Sequence, residues 1–348
     1  MPPAVPLAPL FGVIGVISPA ISLHQLLTAW QSDPLSLVAY LLEIGAALAY
    51  LEGVRRLKVR GRRWRPERTA AFLGGLVAIV IATGSGLASY DDSVFMLHTV
   101  QHLILMNLAP ILLGLGAPIT LVLQASPRSG QRRVIKLMNN RYVSLVTFPP
   151  VAAGLGYLTM IIYFLTPVYD LSIRHPLFHD YTHLHFLVAG CLYWWTVIGV
   201  DHSRWHLSYP ARLAYLATGI PVNAILGIAL TTSRGSIDPA AHSVADTHAG
   251  GAVLWAAGEL ILVAGLAIMF FQWSIQDQRE AARADRRLDR ELAEQGAGLA
   301  GGTTGRASVN GAGLLTKPTR GPGGPPGGPP RRPREGPPDT ETPGSRAG

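Results

Sequence analysis

A single cysteine, Cys191, rules out a disulfide within the chain and leaves neither a thiolate redox pair nor a cysteine-based zinc site. Charge is scarce as well: 14% of the 348 residues are charged against 49% hydrophobic, and the apolar residues run in long blocks rather than at amphipathic spacing. That is membrane-protein composition. A P-loop, a GxGxxG nucleotide fingerprint, a GxSxG elbow, an HExxH zincin motif and any solenoid repeat are also missing. No set of residues assembles a nucleophile, a base and an oxyanion site, so the chain is read as not an enzyme.

Seven apolar stretches are long enough to cross a hydrocarbon core, which takes about 20 helical residues. They cover about residues 34–54, 69–89, 94–124, 146–166, 180–200, 211–232 and 250–273, and the third contains Pro110 and Pro118. The expected fold is all-α: a polytopic membrane bundle of about seven helices spanning residues 34–273. Residues 1–33 are read as an outer interfacial segment. Its apolar stretch from Leu7 to Trp30 lacks the basic start of a signal peptide, and Pro19 and a Ser-Leu-His-Gln run weaken it as an eighth span. Residues 274–295, "SIQDQREAARADRRLDRELAEQ", interleave acid and base at helical neighbour spacing and read as a charged cytoplasmic helix. Residues 296–348 are too rich in Gly and Pro to bury a core and are expected to be a disordered tail.

Positive charge falls on alternate loops. "RRLKVRGRRWRPER" (Arg55 to Arg68) joins the first two spans, "PRSGQRRVIKLMNNR" (Pro127 to Arg141) follows the third, Arg204 and Arg212 follow the fifth, and a basic tail follows the seventh. The positive-inside rule makes that side cytoplasmic, with the N-terminus outside and the C-terminus cytoplasmic. The net charge of +8 is then accounted for by topology and anionic lipid, without nucleic acid.

Under that topology nine of the 11 histidines gather at the outer face, and only His202 and His206 fall on the cytoplasmic side. His98 and His102 open the third span in a stretch without charge, and His179 and His183 enter the fifth. Residues four apart stack on one helix face with Cβ atoms about 6 Å apart. Two such pairs on helices entering from one side supply up to four neutral imidazoles, a metal site in outline. For any one of them, a hydrogen bond to Gln101, Asn107 or a carbonyl is the plainer alternative. Pro176 suits the first helical position and leaves His175 just before the helix. His185 lies about 200° around the axis from His183.

Met96 and Met106 flank the first pair as soft sulfur donors or as core filler. Asp246, two residues before His248, is placed to ligate, to orient an imidazole or to cap the seventh helix. Glu43 and Glu259 lie inside spans, where a carboxyl group serves either a transport path or an interhelical hydrogen bond.

Three blocks then stand in order: "FMLHTVQHLILMNLAPILLGLGAPITLVL", "HPLFHDYTHLHFLVAGCLYWWTVIGVD" and "DTHAGGAVLWAAGEL". Over roughly residues 25–275 the chain resembles the CtaG-type cytochrome c oxidase assembly factors. The resemblance implies a multi-span protein of the bacterial cytoplasmic membrane that helps to make haem–copper oxidases by supplying copper, with an oxidase subunit as partner. His98 and His102 match the family's paired-histidine motif, His179 and His183 its second pair, and Asp246 and Trp255 its final block. Thr99 and Leu103 stand where the family tends to carry methionine, which favours a histidine-dominated site over a Met-rich Cu(I) site. The reading is therefore an assembly factor that binds copper through His98, His102, His179, His183, His248 and Asp246. Exposed His175, His242 and His248 would accept the ion. Two alternatives stay open: a b-type haem cytochrome, against which the four-residue spacing counts, and a copper or proton transporter using Glu43 and Glu259.

Overall fold

The computed structural model describes residues 23–199, 205 and 207–307. Most of the expected interfacial segment, His202 and His206, and the tail from residue 308 lie outside them. Helix is the only regular structure among the described residues. In chain order these are α1 (Leu23–Thr28), α2 (Pro34–Val59), α3 (Pro66–Gly84), α4 (Gly86–Tyr90), α5 (Phe95–Leu103), a π-helical turn (Ile104–Leu108), α6 (Ala109–Leu115), α7 (Pro118–Ala125), α8 (Arg128–Met138), α9 (Arg141–Val146), α10 (Pro149–Leu165), α11 (Val168–Arg174), α12 (Pro176–Ile198), α13 (Tyr209–Ala217), α14 (Gly219–Thr231) and α15 (Val244–Ala307). The chain divides into two compact units, Met1–Glu280 and Ala281–Gly348. Described residues of the second are helical throughout, and α15 runs past Gly296, where the sequence suggests the helix ends.

Proline sets many of the starts. Pro34, Pro66, Pro118, Pro149 and Pro176 each occupy the first helical position, where a fixed φ suits the helix and the missing N–H is not needed. Asp33 completes the start of α2 by accepting the N–H groups of Leu35 and Ser36 at 2.9 and 3.1 Å.

Five helical segments are long and apolar enough to cross a membrane: Pro34–Val59, Pro66–Tyr90, Phe95–Ala125, Tyr209–Thr231 and Val244–Leu292. A sixth forms if α10 and α11, bent by 78° at their junction, count as one span. The sequence reading placed a further span at 180–200. That region is α12, a helix of 23 residues that is not among the apolar segments. Its Asp180 and its histidines at 179, 183 and 185 lower its hydropathy.

The long third segment is interrupted by a π-helical turn. Pro110 has no N–H to give the carbonyl of Met106, and the strain is absorbed just upstream, where Ala109 N–H bonds back to Ile104 across a widened turn. The freed stretch meets α12 closely. A Cβ at Gly190 would stand 2.4 Å from the Met106 carbonyl oxygen, so only glycine permits this approach. Ala117, buried with φ 48°, then turns the chain into α7.

Between α5, α10, α11, α12, α14 and α15 lies an apolar core that includes Phe95, Tyr163, Phe164, Tyr169, Phe186 and Leu254. Met106 belongs to it, and Met96 packs with Val94 and Leu97 in a smaller cluster, so both methionines fill core space. A Cβ at Gly250 would meet the Phe95 ring at 2.4 Å, which explains the small-residue run at the start of α15 as a close packing of α15 on α5.

Candidate metal centre

The two histidine pairs meet. His98 and His102 sit one turn apart on α5 with ring centroids 4.4 Å apart, and His179 and His183 repeat the same 4.4 Å spacing on α12. Across the helices His98 stacks on His179 at 5.3 Å, and His102 lies 5.6 Å from His183. All four are buried: His98 and His102 expose 1% or less, His179 and His183 8% each. Phe186 lies edge-on against His102 at 4.5 Å, and Tyr169 and Phe164 lie edge-on against His98.

A fifth residue, absent from the sequence reading, completes the cluster. Asp91 lies in the short connection between α4 and α5, is 2% exposed, and brings Oδ2 to 3.8 Å from His179 Nε2 and 3.9 Å from His183 Nε2. One ligand atom each from Asp91, His98 and His179 fall within 4.8 Å of one another. A tetrahedral ion with bonds of about 2.0–2.1 Å holds its ligand atoms about 3.4 Å apart, so the set fits a transition-metal ion after a small closure. Burial, and then the neighbouring charge of Asp92, push the Asp91 carboxyl up to about 8. The carboxyl is thus held as the acid at neutral pH unless a cation compensates its charge.

Hydrogen bonding supports the same conclusion. Among the described residues, five imidazole nitrogens in the cluster are buried without a partner: Nδ1 of His98, both nitrogens of His102, and Nε2 of His179 and of His183. Leaving a buried polar atom unpaired costs about 1–3 kcal/mol, and native proteins keep such atoms few. Five of them on four stacked imidazoles, with ligand atoms of His98 and His179 gathered beside Asp91, fit a cation whose ligands are neutral imidazoles. The rings of His98 and His179 stack face to face at 11°. Axial ligands of a haem instead point nitrogen to nitrogen across the macrocycle, so no observation favours that alternative.

Other sequence-chosen residues lie elsewhere. Asp246 caps α5, not the helix that bears it: Oδ2 accepts the Phe95 N–H at 2.7 Å and Oδ1 the Met96 N–H at 3.2 Å. It thereby fixes the start of the helix that carries His98 and His102. His242, expected to be exposed, is buried, with Nδ1 3.3 Å from Asp246 Oδ2 and Nε2 2.8 Å from the Tyr169 hydroxyl. His248 donates from Nε2 to the Ser233 carbonyl at 2.8 Å, and His185 bonds Thr159 at 3.1 Å. His175 is exposed at the start of α12. Glu259 accepts from Asn223 at 3.3 Å, an interhelical hydrogen bond, and Glu43 is half-buried on α2 with Oε2 unpartnered.

Fold and site together define an all-helical membrane-type protein that buries a histidine–carboxylate cluster where its helices begin. The chain belongs to the cytochrome c oxidase caa3 assembly factor family (Caa3_CtaG), whose model matches residues 48–276. The resemblance drawn from the three sequence blocks is borne out. Among its relatives are uncharacterized proteins of Mycobacterium bovis and Mycobacterium tuberculosis, each 31% identical over 290 residues, covering 78% of this chain and 43% of theirs. An uncharacterized protein of Mycobacterium leprae is 32% identical over 285 residues, covering 77% of this chain and 43% of its own. The chain thus spans less than half the length of the curated relatives it matches. No solved structure matches it.

Proposed function

We propose that the protein is a non-enzymatic assembly factor that binds a copper ion in the cluster of Asp91, His98, His102, His179 and His183 and supplies it to a nascent cytochrome c oxidase subunit. The observation that carries this reading is the set of five unpartnered imidazole nitrogens beside a buried carboxylic acid. Imidazole suits copper as well as other transition metals, and the family assembles a copper enzyme, which selects copper among them. His98, His179 and Asp91 form the inner set, and His102 and His183 lie one turn deeper to hold or relay the ion. Asp246 acts through α5 by holding its first turn, and His248 anchors the 233–248 loop instead of ligating.

The cluster belongs to the outer face in this reading. The basic loops alternate with it along the chain, and the exposed amphipathic helix α8, which buries none of its residues, carries Arg128, Arg132, Arg133 and Lys136 on the opposite side. The decisive experiment loads the detergent-purified full chain with copper, strips loose ions and measures retained metal. Wild type is expected to keep about one equivalent, and a His98→Ala, His179→Ala variant to lose it. Equal retention by both overturns the reading.

A further inference from the structure

We propose that Tyr163 and Ser172 fix His98 in the tautomer that carries its proton on Nε2, so that Nδ1 is the bare lone pair presented to the metal. The inference deepens the copper-site reading and rests on it for its purpose, but the tautomer is a property of the metal-free protein and is tested there.

A one-way chain of hydrogen bonds carries the argument. A backbone carbonyl can only accept, so the Ser172 hydroxyl, 2.7 Å from the Tyr169 carbonyl oxygen, donates its single proton to it. Ser172 Oγ is then left as an acceptor, and the Tyr163 hydroxyl 2.8 Å away donates to it. Were Tyr163 to donate to His98 instead, its oxygen and that of Ser172 would face each other at 2.8 Å with no proton between them. The Tyr163 oxygen is therefore an acceptor toward His98 Nε2 at 3.2 Å, and Nε2 must carry the proton. A neutral imidazole has one N–H, which leaves Nδ1 bare.

A further observation agrees. Among the described residues His98 Nδ1 is fully buried and has no partner, as a lone pair held for a cation would be. The route away from Tyr163 thus ends at the Tyr169 carbonyl, an acceptor that sets the direction of the chain. The two hydroxyls come from different parts of the fold: Tyr163 from α10 and Ser172 from α11 beyond the 78° bend. The bend between α10 and α11 brings Ser172 back to Tyr163, which gives that break a role in the site.

The test is nitrogen-15 NMR of the metal-free full chain in detergent, labelled at histidine, with His98 assigned by its loss in a His98→Gln variant. The expected spectrum has a protonated Nε2 and an unprotonated Nδ1 at His98. In Tyr163→Phe the acceptor is gone and the two tautomers mix. In Ser172→Ala the Tyr163 hydroxyl remains but loses its acceptor, so its proton turns to His98 Nε2 and the tautomer flips to Nδ1–H. Copper affinity, read by chelator competition, falls about 10- to 100-fold in each, the range for partners that orient a ligating histidine. A merely structural role would lower the melting temperature and leave the tautomer ratio of the folded variants unmoved, which overturns the proposal. So does an Nδ1-protonated His98 in wild type. Failure of wild type to retain copper, with the His98 tautomer as stated, would overturn the copper reading and leave this one standing.

Discussion

Asp91 Oδ2 stands 3.8 Å from His179 Nε2, which has no hydrogen-bond partner among the described residues. The two residues lie 88 positions apart in the sequence, one in a connection that closes the second apolar segment and the other in the first turn of α12. An acid and a base buried this near without a direct hydrogen bond are arranged around a point between them. We expect Asp91→Asn, which keeps the shape and removes the charge, to weaken copper binding by at least about 10-fold. The metal-free protein should fold as before, since the amide no longer asks for burial of a charge. Chelator competition beside thermal unfolding separates the two effects.

The pH dependence follows from the same residue. Asp91 is held up to about 8 against 3.8 for a free aspartate. Its folded-state value is raised, so the native protein holds a proton that the unfolded chain gives up, and the metal-free protein loses stability as pH rises from about 4 to about 8. A cation must displace that proton. Copper affinity should therefore climb between pH 6 and 8 with about one proton released per ion, and level off above. Titration in weak buffer measures the release, and Asp91→Asn should abolish that proton.

The helices and their pairing of histidines were legible in the sequence because apolar blocks and four-residue spacing are local signals. His98 with His102 and His179 with His183 could be placed on common faces from the helical period alone. Asp91 was not, although "YDDSVF" sits directly before the first pair. An acidic pair in a connection is ordinarily solvent-facing, and only the packing of α12 against the connection buries one member and leaves Asp92 exposed. Asp246 was read as a metal ligand, with capping of its own helix as the alternative, but its carboxylate reaches across 151 residues to Phe95 N–H. Capping between helices leaves no periodic trace. His242 was placed on an exposed loop for the same reason: its burial depends on Tyr169, brought in by the bend after α10.

Gly190 is where α12 crosses the π-helical turn. In Gly190→Ala the new methyl would lie 2.4 Å from the Met106 carbonyl oxygen, a backbone atom that cannot move aside. Overpacking of this kind costs about 1–3 kcal/mol, and the relief available is to push α12 away from α5. The expected result is a lower unfolding temperature together with weaker copper binding, because the shift separates His179 and His183 from His98 and His102. Gly154→Ala, where a Cβ meets nothing within 4 Å, serves as the control and should change neither.

Asp246 and His248 give the sharpest contrast with the cluster, because the same sequence block supplies both and neither is placed to ligate in the reading advanced here. Asp246 accepts the first N–H groups of α5 at 2.7 and 3.2 Å and lies 3.3 Å from His242. Asp246→Ala should cost about 1–2 kcal/mol, the range for losing a helix cap, and loosen the turn that sets His98. Copper affinity would fall with it, and Asp246→Asn, whose one carbonyl oxygen can still accept the Phe95 N–H while its NH2 cannot accept the Met96 N–H, should recover part of both. Among the described residues His248 bonds only the Ser233 carbonyl, so His248→Gln, which can still donate there, should leave copper retention at the wild-type level. Rescue by asparagine at 246 is the measurement that separates a capping role from ligation. A ligating carboxylate would lose affinity as severely in Asn as in Ala, and the unfolding temperature of the metal-free protein would then not track the loss.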